Sequence, residues 1–157
     1  MKYFFSFILF FSSWNVIADE VLPASCKPIV IDGESAILAV TQPSLIVLHN
    51  LSETDLWITH PVSEPGASAG WSSRLQAGNW SALALQEKSF EISCIESKPG
   101  HEQQIPCKDV LAACGWMNVT MPSQEVSGPY WAGEDMSLSA LIAYLGRRGF
   151  VLPTPSQ

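Results

Sequence analysis

SLIVLHNLSETDLWITHP, residues 44–61, and GWSSRLQAGNWSALAL, residues 70–85, contain the strongest β-strand signals of this 157-residue chain. Each string has two apolar runs with Val, Ile or Trp, residue types that suit a pleated surface, on either side of a polar turn. The turns are residues 52–55 and 76–79. We therefore predict two successive β-hairpins joined by residues 63–70, a loop of small residues with little to bury.

The first predicted hairpin has a definite register. A turn centred between Thr54 and Asp55 places three pairs opposite each other: Val47 with Val62, His49 with His60, and Leu51 with Ile58. Side chains alternate along a strand, so these pairs share one face. That face is the more apolar one and the better candidate for the core, and two histidines face each other on it.

The remaining chain continues the β pattern until its last quarter. Further short strands are predicted at residues 28–31, 36–40, 90–95, 110–117 and 130–132. Short strands at regular spacing with turns between them favour an antiparallel β-sandwich. We predict a mainly β fold, a single sandwich of the cupredoxin-like or immunoglobulin-like kind spanning residues 19–157.

The C-terminal part has the period of a helix. Four apolar residues follow the i, i+3, i+4, i+7 pattern: Leu138, Leu141, Ile142 and Leu145. Asp135 or Ser137 can cap the start, and Gly146 or Gly149 can close the end. We predict a helix at about residues 135–147 that packs on the sandwich.

The first 18 residues have the features of a secretory signal. Lys2 precedes an apolar run at residues 3–11, and Val16-Ile17-Ala18 fits a small-residue cleavage site. No later segment is long enough for a transmembrane helix. The mature protein is expected to begin at Asp19 and to be periplasmic or secreted.

Charge composition narrows the choice of partners. The chain has 8 Lys and Arg against 15 Asp and Glu, a formal net charge of −7. Such a chain repels phosphate backbones, which excludes nucleic acid as an expected partner. A protein partner with a basic patch is favoured, and its association should weaken with salt.

Four cysteines in an exported chain favour two disulfides. Three connectivities are possible. The turn at residues 99–101 lies midway between Cys94 and Cys107, so these two could meet across a hairpin, which would leave Cys26 to pair with Cys114. We favour that pairing. The spacing lacks the paired Cys-x-x-Cys of a zinc site.

The histidine pair suggests an alternative function. Cross-strand imidazoles can share one copper or zinc ion, so His49 and His60 are candidate metal ligands. A third ligand would come from the following residues: His101, Cys94, Cys114 or Asp135. Two neutral histidines with hydrogen-bond partners near the end of a sheet are the simpler interpretation, and we expect no cofactor.

Residues 66–70 match the Gly-x-Ser-x-Gly pattern of hydrolase nucleophiles. That motif needs a strand, a sharp turn and a helix in a parallel sheet. Prolines precede this string, a β-like segment follows it, and no strand–helix alternation surrounds it. We predict a small-residue loop here and a protein that is not an enzyme.

Binding is the predicted role of the same loop. Loops held on a rigid sheet often carry binding residues, and Trp is the residue type most enriched among interface anchors. The candidate binding residues are Ser63, Ala67, Ser68, Ala69 and Trp71.

Seven segments distributed over the mature chain read HNL (49–51), DLWITHP (55–61), GASAGW (66–71), GNWSAL (78–83), CIES (94–97), PGHEQ (99–103) and GFVLP (149–153). Together they resemble the enhanced entry protein EnhB family of Legionella. The resemblance implies a periplasmic protein of an intracellular bacterium, linked to host-cell entry and to a large repeat-containing periplasmic partner. It implies no catalytic residues.

Overall fold

The computed structural model describes residues 22–61, 72–86, 89–117, 119–122 and 128–153. Within these ranges the chain forms ten strands and two helices. In chain order they are β1 (Lys27–Ile29), β2 (Ser35–Ala39), β3 (Ser44–Asn50), β4 (Leu56–Thr59), β5 (Ser72–Leu75), β6 (Trp80–Leu85), β7 (Ser89–Glu96), β8 (Gln103–Ile105), α1 (Cys107–Val110), β9 (Leu111–Met117), β10 (Tyr130–Met136) and α2 (Leu138–Arg147). The predicted mainly β content with a C-terminal helix is confirmed.

The strands form two antiparallel five-stranded sheets. Sheet A has the order β1-β9-β3-β6-β10, and sheet B has the order β2-β7-β4-β5, with β8 also paired to β7. Helix α2 packs against β6 and β10, so it lies on sheet A. The layers are therefore sheet B, sheet A and the helix, which confirms the predicted sandwich.

Two apolar cores separate these layers. The inner core fills the space between the sheets; its fully buried members include Leu38, Ile46, Leu48, Leu56, Ile58, Leu75, Leu83 and Ile92. The outer core lies between sheet A and α2 and includes Leu45, Val47, Trp80, Ala82, Cys114, Trp116, Leu141 and Leu145. Sheet A is thus buried on both faces, as a continuous apolar run such as residues 45–48 permits.

Both predicted hairpins are wrong. Strand β3 belongs to sheet A, where it pairs with β6 and β9, whereas β4 belongs to sheet B, where it pairs with β5 and β7. Likewise β5 lies in sheet B and β6 in sheet A. Each polar turn carries the chain from one sheet to the other instead of back along the same sheet.

The reason for this difference is that both edges of β3 are occupied by other strands. The two faces of this apolar run are covered by sheet B and by α2, and its two edges are hydrogen-bonded to β6 and β9, so neither edge is left for β4. Strand β4 alternates between buried and half-buried residues, so it suits a sheet with one covered face. A polar turn signal does not distinguish a hairpin from a crossing between sheets.

Helix α2 is confirmed, but it begins three residues later than predicted. Ser137 caps it, because its hydroxyl accepts a hydrogen bond from the backbone N–H of Ala140 at 3.4 Å. Gly149, at a φ of 90°, follows its C-terminal end. Within the described ranges, no helix has both the length and the apolar character needed to cross a membrane.

Asp135 and Met136, which were predicted to lie in the helix, are the last two residues of strand β10. The φ of Asp135, 50°, places it in the left-handed region, beside an irregularity in the pairing with β6. Its carboxylate accepts hydrogen bonds from the backbone and side chain of Gln76, both at 2.8 Å, and from Asn79 at 3.0 Å. Its N–H donates to the Ser81 hydroxyl at 2.9 Å. Asp135 thereby joins β10 of sheet A to the segment that leaves β5 of sheet B.

Candidate functional site

The predicted binding residues fall outside the described ranges. These are Ser63, Ala67, Ser68, Ala69 and Trp71, together with the Gly-x-Ser-x-Gly string. The strands on either side of them are described: Thr59, the last residue of β4, pairs with Ser72, the first residue of β5. The strand ends on either side of the predicted binding segment are therefore paired with each other in sheet B.

His49 lies on the face of sheet A that points toward α2. It is on the same side of β3 as Leu45 and Val47, which belong to the outer core. Its ring stacks on that of Trp80 with centroids 4.1 Å apart, and its Nε2 donates to the Gly78 carbonyl oxygen at 3.2 Å. Burial lowers the pKa of His49, while the hydrogen bond to Gly78 partly offsets this effect. The ring is therefore neutral at neutral pH.

His60 lies on the other side of sheet A. Its ring stacks on Phe90 of the inner core, with centroids 4.4 Å apart, and its Nδ1 donates to the Glu91 carbonyl oxygen at 2.6 Å. Because sheet A separates the inner core from the outer core, His49 and His60 cannot approach the same ion. Their predicted opposition is wrong, since β3 and β4 are not paired.

Three of the four additional ligands considered for a metal site have other roles, and the fourth, His101, is exposed in the segment between β7 and β8. Cys94 and Cys114 are in disulfides, and the Asp135 carboxylate binds Gln76 and Asn79. Among the described residues, no group of three or more His, Cys, Asp and Glu side chains is placed to hold a metal ion. Copper or zinc binding by this protein stays a prediction, without the shared His49–His60 site.

The favoured disulfide pairing is confirmed. Cys26 is bonded to Cys114, and Cys94 is bonded to Cys107. The first bond attaches the chain before β1 to the central part of β9, and the second closes the β7–β8 hairpin inside the inner core. Two buried disulfides are typical of proteins from an oxidising compartment, such as the periplasm or the cell exterior.

The outer face of sheet B carries an apolar groove that centres on Trp57. Leu56 and Ile58 point into the inner core, so Trp57 points outward from the middle of β4. Ile95 of β7 lies directly opposite it. The two side chains are half-buried and line an open groove of about 270 Å³.

Polar side chains surround this apolar pair. The hydroxyl-bearing residues Thr59 and Ser72 line one part of the groove, and Glu102, from the segment between β7 and β8, lines another. Arg74 is the neighbour of Trp57 on β5, and it forms an ion pair with Asp55. That interaction lowers the pKa of Asp55, so the carboxylate is ionised at neutral pH.

The outer faces of sheet A and sheet B differ in what packs against them. The outer face of sheet A packs against α2, and Leu22 and Leu152 from the chain ends also contact this core. On sheet B, Ile37 is 66% exposed on the same face as Trp57. Trp57 and Ile37 thus give this face apolar side chains that a partner can contact.

The groove can bind a ligand without covalent chemistry. An indole ring provides a stacking surface, Ile95 an apolar contact, two hydroxyls hydrogen bonds, and Glu102 a negative charge. The sequence places Trp57 on the face opposite to Leu56 and Ile58, because side chains alternate along a strand. It did not indicate Ile95 or Glu102, because their positions depend on how β7 pairs with β4.

Comparison with protein-family models, with curated proteins and with solved structures found no match to this chain.

Proposed function

We propose that the protein is an exported, non-catalytic accessory protein that binds another protein through the outer face of sheet B. The observation that carries this proposal is the groove around Trp57 on the face of the sandwich opposite to α2. A half-buried Trp at the centre of a face is the type of residue that anchors protein interfaces. Thr59 and Ser72, the described strand residues on either side of the predicted binding segment, line this groove.

Location and partner class are further parts of the proposal. The signal-like residues 1–18 and the two disulfides support export to the periplasm or beyond the cell. The resemblance to the EnhB family supports the periplasm, a role in host-cell entry and a large repeat-containing partner. The net charge of −7 favours a basic patch on that partner.

Site-specific photo-crosslinking in the producing cell tests the proposed face. A photoreactive amino acid is placed at Ile37, which is 66% exposed on sheet B, or at Val151, a matched apolar position that is 63% exposed beside the helix layer. We expect a discrete adduct from position 37 that diminishes at high salt and in a Trp57→Ala background. Equal adducts from both positions, or none from position 37, would contradict the proposal.

The same crosslinking experiment also tests the loop at residues 63–70, which the sequence predicts to bind the partner. Variants with Trp71→Ala, or with charged residues in place of residues 67–69, are compared with wild type after circular dichroism shows that they fold. Loss of the position-37 adduct in these variants would extend the binding face to the loop. An unchanged adduct would confine the interface to the strands.

A further inference from the structure

We propose that the Trp57 groove receives an arginine side chain of the protein partner. This inference rests on the proposed function, because it assigns the chemistry of one contact within the proposed face. The groove juxtaposes an indole, which attracts cations to its face, and a carboxylate, which pairs with a guanidinium. Arginine suits both surfaces at once, since its planar guanidinium stacks on aromatic rings and donates forked hydrogen bonds.

The local charges leave Glu102 available for such a contact. Arg74 is paired with Asp55, and Lys98 with Glu96 at 2.7 Å. In the described ranges, Glu102 forms no ion pair, and its side chain is exposed at the groove. The neighbouring cations are thus engaged by other acids, and the carboxylate at the groove is the one that an external cation can neutralise.

The dimensions of the groove also favour a side chain over a larger ligand. Its volume of about 270 Å³ lies just below the range of roughly 300–1,000 Å³ found for pockets that enclose drug-sized molecules. It is open to solvent on one side, which admits a side chain from a surface that docks on the sheet. Thr59 and Ser72 supply hydroxyls that can accept hydrogen bonds from the remaining guanidinium N–H groups.

A pair of capped tripeptides tests the inference on the disulfide-bonded protein. Acetyl-Gly-Arg-Gly-amide is titrated against acetyl-Gly-citrulline-Gly-amide, a neutral analogue of almost the same shape, at low salt. The readout is the indole N–H resonance of Trp57, which is assigned with a Trp57→Leu variant. We expect a Kd at least about threefold lower for the arginine peptide, from the cation–π contact and the exposed ion pair together.

Two charge variants test whether Glu102 is the source of the preference for the arginine peptide. Glu102→Gln should remove most of the preference for arginine, whereas Glu134→Gln, which removes one exposed charge from β10 of sheet A, should leave it unchanged. Thermal unfolding checks that both variants fold. Equal Kd values for the two peptides, no shift of the Trp57 resonance with either, or equal effects of the two substitutions would each overturn the inference.

This test is separate from that of the proposed function. If position 37 crosslinks to a partner in a Trp57-dependent manner but the tripeptides bind equally, the docking face stands and the arginine assignment fails. If position 37 gives no adduct, the docking face itself fails, and the arginine assignment fails with it.

Discussion

Asn50 joins both of the segments that cross between the sheets. Its side chain is fully buried, and its Nδ2 donates to the carbonyl oxygens of Thr54 at 2.8 Å and Leu75 at 2.9 Å. Its Oδ1 accepts from the backbone N–H of Ser52 at 2.9 Å and from the Ser52 hydroxyl at 2.7 Å. Its main chain exchanges hydrogen bonds with Gly78 and Asn79. One residue therefore holds the end of β3 against the turns after β3 and β5.

Replacing Asn50 with alanine should be among the most destabilising polar substitutions in the protein. The change removes the side-chain donor to the buried Leu75 carbonyl oxygen and the acceptor of the Ser52 N–H, whereas the Thr54 carbonyl oxygen keeps the Ser52 hydroxyl as a donor. Each unsatisfied group costs on the order of 1–3 kcal/mol. We expect Asn50→Ala to lower the free energy of unfolding by about 3 kcal/mol in urea titrations. Ser52→Ala is the matched control, because it removes one hydroxyl and keeps the bonds of Asn50 to Thr54 and Leu75. A loss below about 1 kcal/mol, the size of one ordinary hydrogen bond, would contradict this role for Asn50.

The placement of β3 and β4 in different sheets gives His49 and His60 different neighbours. In a hairpin His49 would have faced His60, but in the sandwich its neighbour on β6 is Trp80, on which it stacks. His60, just beyond β4, stacks on Phe90 in the inner core. Each imidazole thus acts as an aromatic packing element with its own backbone acceptor.

The separation of the two histidines predicts how the protein responds to metal ions. Because sheet A lies between them, copper or zinc cannot be chelated by both rings, and binding to one exposed imidazole is weak. We expect stoichiometric Cu²⁺ or Zn²⁺ to leave the melting temperature unchanged. A metal-dependent rise that disappears in both His49→Asn and His60→Gln would show that the rings do act together.

Over the whole molecule, the two disulfides close loops of very different lengths. Cys26 and Cys114 are 88 residues apart in sequence, and Cys94 and Cys107 are 13 residues apart. A disulfide restricts the unfolded chain more when it closes a longer loop. The bond that attaches the N-terminal segment to sheet A should therefore contribute more to stability than the bond within the β7–β8 hairpin.

This difference can be measured with paired substitutions. In the chain-entropy model, the 88-residue loop corresponds to roughly 4.6 kcal/mol and the 13-residue loop to roughly 2.9 kcal/mol. We expect the double variant Cys26→Ala with Cys114→Ala to lose more stability in urea than Cys94→Ala with Cys107→Ala. All four cysteines are buried, so lost packing affects both variants. The reverse order would show that packing around Cys94 and Cys107 outweighs the loop effect.

Local pattern was sufficient to predict the features that depend on near neighbours in the chain. Short apolar-rich runs between turn signals indicated β2, β4 and β7, the i, i+3, i+4, i+7 spacing indicated α2, and the turn at residues 99–101 indicated the Cys94–Cys107 pairing. These features depend on periodicity and short loops, which a single sequence displays directly.

Tertiary structure alone decided which strands pair with each other. That pairing also decided which residues meet in the Trp57 groove. The polar turns at residues 52–55 and 76–79 are compatible with a hairpin and with a crossing between sheets, because turn residues only reverse or bend the chain. In the structure β6 and β9, distant in sequence, occupy both edges of β3, and β4 pairs with β5 and β7 in the other sheet. That same pairing moved His49 away from His60, and the pairing of β4 with β7 placed Ile95 beside Trp57.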